Sequence, residues 1–416
     1  MDDISPSRAA AATIAASAIY EKLPGGKFRL PPHIHPMPDL LQHSAEEVVA
    51  IYRENQYRDF MNVFGRIERD GVSLIEEVPV LARALARHPD TEIVRTLSIG
   101  RLRELFAELH DHVMEHPVWL HPFFIRFFDG NFTHEELQRF ARQYFNQIKN
   151  TRQCVAIALG RFNSLMPLPF GPVNEISSEM TQIVLAGLLA DEYGTTDHSA
   201  HGGELQVRDL FSYTTHIAMF RQLFDGIGVP EERHNTQLLH GTADNVLTQR
   251  LLAGHEAFDT IEALASVGLG MEWGVPAFFS LLLGGIIRYA DRDGLEIAPQ
   301  HLEVLTAHVR QDVTHAIAVM LVTGMLATGR GEVERIKNAT NMLMSSRYQM
   351  MSETYEEVFE EPCLAIDRIN LHPRHHVADR RIAGLLREAR TNTLPSTVRD
   401  HAAWTASERV PFVFAA

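Results

Sequence analysis

Hydrophobic positions recur along most of this chain at intervals of three and four residues, with polar positions between them, the spacing of helices that bury one face. Thr133-His-Glu-Glu136 reads as a capping box ahead of a long helix carrying Leu137, Phe140, Ala141, Tyr144, Phe145 and Ile148. Further helical patterns cover roughly 177–192, 205–226, 234–253, 257–286, 299–328 and 331–359. No run of alternating Val, Ile and Thr argues for a sheet. The expectation is an all-α bundle of about seven or eight helices.

The pattern divides the chain. Residues 1–40 are broken by Pro6, Pro24-Gly25-Gly26, Pro31-Pro32, Pro36 and Pro38 and read as an irregular tail. Residues 41–115 read as a helical extension, opened by a second capping box at Ser44-Ala-Glu-Glu47. The main body runs over 116–362, and residues 363–416 read as a tail of loop and short helix. Within the extension, His110, Asp111, His112 and His116 read as an exposed polar helix end. His372, His375 and His376 in the tail read as a solvated loop.

Composition narrows the function classes. With 53 Asp and Glu against 38 Lys and Arg among 416 residues, and no basic run, the chain does not favour nucleic acid. Cys154 and Cys363 are its only cysteines, which excludes a disulfide framework and a cysteine-based metal site and points to a reducing cytoplasm. The N-terminus lacks a basic n-region, so no secretory leader is expected. From Ala263 to Ile287 the only charged residue is Glu272. Gly268, Gly270, Gly274 and Pro276 interrupt that run and no basic flank is pronounced, so a buried helix is expected in place of a membrane span.

Two features then carry chemistry. His308, Asp312 and His315 stand at i, i+4 and i+7, within about a 60° arc of a helix, and are expected to converge on one point from its apolar face. Two imidazoles and a carboxylate suit Fe, Mn or Zn. Glu272 is the second feature, because an unpaired carboxylate in an apolar helix persists only if paired, protonated or bound to metal. Further donors come from Leu189-Ala-Asp-Glu-Tyr-Gly194 and the segment after it. Glu192 and His201 are nine apart and meet only if the backbone is distorted near Gly194. His198 competes with His201, and Asp191 with His198 matches regular helical spacing.

Taken in order, Asp-Glu-x-Gly followed by His, a Glu in a Gly-rich apolar helix, and His-x3-Asp-x2-His resemble the haem-oxygenase-like diiron oxidases and oxygenases. His121-Pro-Phe-Phe-Ile-Arg-Phe-Phe-Asp-Gly130 through Arg139-Phe-Ala-Arg-Gln-Tyr-Phe145 also resembles the opening helices of that fold, and the resemblance covers roughly 116–360. It implies a haem-oxygenase-like bundle in which Glu192, His201, Glu272, His308, Asp312 and His315 hold two Fe ions, with Mn as the alternative metal. The family spaces the first Glu and His one residue wider than Glu192 and His201.

Such a ligand set implies an O2-activating oxidoreductase with a small-molecule substrate, an amine or amino acid undergoing N-oxygenation, desaturation or C–C cleavage. O2 and that substrate are the partners expected; nucleic acid and membrane are not, and a homodimer is allowed. Arg347, Tyr348 and Tyr355 on the last long helix are the candidates for a substrate carboxylate. Two rival readings stand beside this one. A metal-free, thiaminase-type hydrolase of the same fold would need Cys154 as nucleophile, and a non-catalytic helical interaction protein would leave Glu272 and the His-Asp-His stripe without a purpose.

Overall fold

The computed structural model describes residues 18–70, 75–76, 78–89, 91–162, 172–194, 215–363, 372–377 and 379–410. They are all-α apart from one small hairpin, β1 (Glu21–Leu23) against β2 (Lys27–Arg29), in the stretch expected to be irregular. Gly25 and Gly26 both take positive φ in its turn, the conformation glycine adopts without a Cβ penalty.

Helix α1 (Ala45–Asp70) opens on the Ser44 capping box, with Ser44 N donating to Glu47 at 2.8 Å. It is followed by α2 (Pro79–Arg87), α3 (Thr91–Thr96) and α4 (Ile99–Met114). Next come α5 (Pro122–Phe128) and α6 (His134–Gly160), the latter closed at its start by the expected Thr133–Glu136 capping box. The body continues through α7 (Pro172–Glu192), α8 (His216–Gly226) and α9 (His240–Gly254). One apolar helix then runs over Thr260–Asp293, composed of α10 (Thr260–Ala265), a π-helical stretch (Ser266–Glu272) and α11 (Val275–Asp293). The last elements are α12 (Glu303–Leu326), α13 (Arg330–Phe359), α14 (Arg381–Thr391) and α15 (His401–Ala406).

The 34-residue helix is long and apolar enough to cross a membrane, and its apolar window is wholly buried inside the protein. It is the central element, with α12 and α13 packed along it and α5 and α1 beside its second half. One apolar cluster extends from Ile19 to Leu386, so the core does not stop at the boundaries drawn at 115 and 362. Phe60 and Phe106 of the extension stack on each other, and Phe106 meets Trp273 edge-on at 5.1 Å.

The histidine readings change. His110, His112 and His116 are buried, and only Asp111 of that group reaches solvent, where it pairs with Arg53. His375, expected in a solvated loop, is also buried and packs on His112 and His116 at ring distances of 5.3 and 5.0 Å. The cause lies across the chain: segment 372–377 covers α4, with His375 Nε2 donating to the His112 carbonyl at 3.0 Å and Asn341 anchoring the Arg374 carbonyl at 2.9 Å. Farther on, Arg390 in α14 donates twice to Asp244 of α9, at 2.9 and 2.6 Å, and Trp404 Nε1 donates to the same carboxylate at 2.9 Å. The C-terminal tail is thereby latched to the bundle.

Candidate metal centre

Four elements bring their polar residues to one place in this core. Helix α7 ends on Asp191 and Glu192 because Gly194, at φ 63°, takes the left-handed conformation and turns the chain away. Helix α8 begins at His216, where Thr215 Oγ1 accepts the Ala218 N–H at 3.1 Å, and His216 shares its face with Phe220 and Leu223. Helix α12 supplies His308, Asp312 and His315. Glu272 closes the π-helical stretch, a local geometry frequent at functional sites.

Gly268 and Gly270 let that stretch lie directly on its neighbours. A Cβ on Gly268 would sit 2.0 Å from Val319 Cγ1 of α12, and one on Gly270 2.6 Å from Leu343 Cδ2 of α13. At Gly270 the Leu343 side chain could turn aside, but at Gly268 the Val319 Cβ itself lies only 2.7 Å away, so Gly268 sets how closely the stretch before Glu272 approaches α12.

The donors form two groups. Glu192, His216 and His308 make one, and Glu272, Asp312 and His315 the other, with the donor atoms of each within 4.8 Å of one another. His308 and His315 therefore do not converge on one point. A rise of 1.5 Å per residue separates them by about 10 Å along the helix, so the shared face serves two positions.

The imidazoles of His308 and His315 are each held so that one nitrogen is free. His308 Nδ1 donates to the Val304 carbonyl at 2.6 Å, which leaves Nε2 with its lone pair; its ring stacks on Phe279 at 4.4 Å. His315 turns Nε2 to the Asp191 carboxylate, which leaves Nδ1 facing Asp312 at 4.0 Å. His216 Nδ1 lies 3.1 Å from Glu192 Oε2 but is not aligned for a hydrogen bond. His216 Nδ1, His315 Nδ1 and Asp312 Oδ2 are all buried atoms without a hydrogen-bond partner among the described residues. Orphaned polar atoms are rare in folded interiors, and here one falls in the first group and two in the second, so each group holds a donor that calls for a partner.

Electrostatics point the same way. Burial, followed by the charge of Glu192, pushes the Glu272 carboxyl up to about 8. Burial and then Glu272 and Glu192 push Asp312 well above the usual carboxylate range. Burial also opposes charge on Glu192 and His216, but their mutual contact outweighs it, lowering the first and raising the second. His308 is forced down to about 3, chiefly by burial, and is a neutral imidazole. Carboxylates crowded together in a dry interior either hold protons or share a cation.

No family model matches the chain, and no curated protein matches it.

Of the residues singled out from sequence, Glu192, Glu272, His308, Asp312 and His315 are brought together; His198 and His201 lie outside the described residues. The imidazole set against Glu192 is His216, which sequence reasoning missed although it stands at i, i+4 and i+7 with Phe220 and Leu223. Arg347 is buried, and Glu272 and Tyr144 act on its charge. Tyr348 instead packs on His121 at 4.4 Å, and Tyr355 bonds Arg126 at 3.2 Å and packs on Phe359. Successive residues turn by 100°, so neighbours in sequence on α13 cannot share one target. Cys154 is buried beside Asn150, its thiol pushed up to about 12 by burial, which disfavours the nucleophilic thiolate.

Proposed function

We propose that the protein is an O2-activating non-haem diiron oxidase or oxygenase built on a haem-oxygenase-like helical bundle. A single observation carries the reading: two adjoining groups of buried His, Glu and Asp donors, in which His216 Nδ1, Asp312 Oδ2 and His315 Nδ1 lack any described hydrogen-bond partner. Glu192, His216 and His308 would hold one ion, and Glu272, Asp312 and His315 the other. Three carboxylates with three imidazoles suit iron, with manganese as the alternative, and exclude a thiolate-selective metal. Bound there, two Fe(II) ions supply the electrons that reduce O2 to an oxidant.

This chain's own residues do the rest. Val304 and Asp191 fix the rings of His308 and His315, and outer partners of this kind sustain metal affinity. Phe279 against His308, with Phe278 beside it at 4.7 Å, keeps water from the donors. The substrate is a small molecule, an amine or amino acid, undergoing N-oxygenation, desaturation or C–C cleavage. Two buried free cysteines are compatible with a cytoplasmic enzyme. The elevated Cys154 thiol counts against the hydrolase alternative.

The test is to reconstitute the purified protein anaerobically with Fe(II), count bound iron, and then follow O2 consumption with candidate amines and amino acids. Two ions per chain and substrate-dependent O2 uptake are expected; protein that takes up no iron sinks the reading.

A further inference from the structure

We propose that Arg347 and Tyr144 form a receptor for a carboxylate on the substrate, so that the enzyme takes an amino acid or another small carboxylic acid and not a simple amine; this rests on the metal-centre reading above.

Arg347 stands in the middle of α13 at 7% exposure. Its guanidinium makes no hydrogen bond or ion pair with any described residue, Nη1 is fully buried without a partner, and the group lies over the Trp119 ring at 5.7 Å. The other buried arginines among the described residues are satisfied. Arg390 holds Asp244 and two carbonyls, and Arg161 donates to the carbonyls of Phe258 and Ala253. A guanidinium does not shed its proton in a protein, so Arg347 is an uncompensated charge, costly to fold and unexplained by the packing around it.

Its surroundings say what it awaits. Glu272 and Tyr144 lie close enough to act on its charge, yet no carboxylate comes within ion-pair distance among the described residues. Arg347 also acts on His116, which offers no negative charge, since burial holds its imidazole neutral. Tyr144 is buried, and its hydroxyl makes no hydrogen bond with a described residue. That hydroxyl keeps its proton because burial disfavours the phenolate, and the charges of Arg347, Asp312, Glu272 and Glu192 act on it. Tyr144 packs on Phe278 and Phe279 at 5.6 and 6.2 Å, and Phe279 stacks on His308. Arg347 and Tyr144 thus present a guanidinium and a phenolic donor beside the metal ligands.

Charge balance sets the sign of the ligand. Glu192, Glu272 and Asp312, with Asp191 behind His315, match two divalent ions and leave the Arg347 charge unmatched. A carboxylate set against the guanidinium offsets that charge locally, whether it belongs to a monoanion or to a zwitterionic amino acid, and it fits the planar fork of guanidinium donors. An alkylammonium would add a second positive charge.

Binding is measured by calorimetry and melting temperature with L-norleucine, straight-chain carboxylates from acetate to octanoate, and the matching alkylamines. Metal-free and anaerobically Fe(II)-loaded protein are both used, with iron counted in each. The amino acid or a carboxylate should bind and raise the melting temperature while the alkylamines do not. Arg347→Met should weaken that binding roughly 10- to 100-fold, leave iron stoichiometry unchanged, and raise the melting temperature of unliganded protein because an unpaired buried charge is gone. Arg347→Lys and Tyr144→Phe should weaken it less, and they carry the test if the methionine variant does not fold.

Alkylamines binding as tightly as carboxylates, no carboxylate binding at all, or an Arg347→Met protein that binds carboxylates as before or melts lower without ligand, overturns the receptor. Normal iron uptake alongside any of these leaves the metal centre standing. Arg347-dependent carboxylate binding in a protein that takes up no iron overturns the metal centre instead.

Discussion

Glu192 Oε2 lies 3.1 Å from His216 Nδ1, across the junction between the end of one helix and the first residue of the next. The pair joins two elements in the core, and each member is a donor of the same candidate metal group.

His216→Ala should bind one iron ion per chain where the wild type binds two, because it removes an imidazole from the group with Glu192 and His308. His201→Ala should keep both ions. Iron measured after anaerobic loading and desalting compares the variants; the reverse order would restore His201 as the ligand after Glu192.

Glu272→Gln should leave the metal-free protein as stable as the wild type or more so, since at neutral pH burial already favours the protonated carboxyl that glutamine imitates. The same variant should lose most of the rise in melting temperature that Fe(II) confers, as binding to the native state is lost. A metal-free variant that melts far lower would mark Glu272 as half of a structural ion pair.

The metal-free protein should be most stable in mildly acidic solution. Glu272 and Asp312 hold protons more tightly folded than unfolded, so stability falls as pH rises from the ordinary carboxylate range through about 8. His35, His110, His112 and His375 have the opposite sign: burial lowers each to about 4, so the stability they contribute above pH 6.5 is lost as pH falls through 4. Loaded with metal, the protein should lose the alkaline decline, because ligation replaces the protons. Melting temperature against pH for both forms is the measurement.

Gly268→Ala should destabilise the protein by about 1–3 kcal/mol and lower its metal content, because the added methyl meets Val319. Adding Val319→Ala should recover much of both losses. A double-mutant cycle in chemical denaturation shows the coupling.

Asp244→Ala should cost about 3–5 kcal/mol by leaving Arg390 buried without its carboxylate. Iron stoichiometry of the folded fraction should be unchanged, since the latch lies apart from the donor groups. Urea titration with iron analysis checks both halves.

Much of the body was legible from spacing alone. The His308, Asp312 and His315 stripe, Glu272 in its apolar run and the two capping boxes are local patterns and all are present, although the stripe serves two donor groups in place of the one point expected. Residues whose surroundings come from far along the chain were misread. His110, His112 and His116 look polar beside one another, but segment 372–377 covers His112 and His116, and Trp273 and Phe106 pack on His110. His216 escaped notice because only its proximity to Glu192, 24 positions earlier, marks it out. Tyr348 and Tyr355 were grouped with Arg347 by sequence position, whereas helical rotation separates them.

The π-helical stretch at Ser266–Glu272 holds more residues than an α-helix of the same rise, and so resembles an insertion retained between two fixed halves. Deleting one residue there would return the stretch to α-helical register and reset the side-chain directions within it, while the two flanking halves stay in phase. The flanking helices could keep their packing while the second donor group lost its glutamate. A single lost codon would thereby disturb one candidate donor group with every other donor still in place, and gap positions within 266–272 would separate relatives that keep the Glu272 geometry from those that do not, before any comparison of the donors themselves.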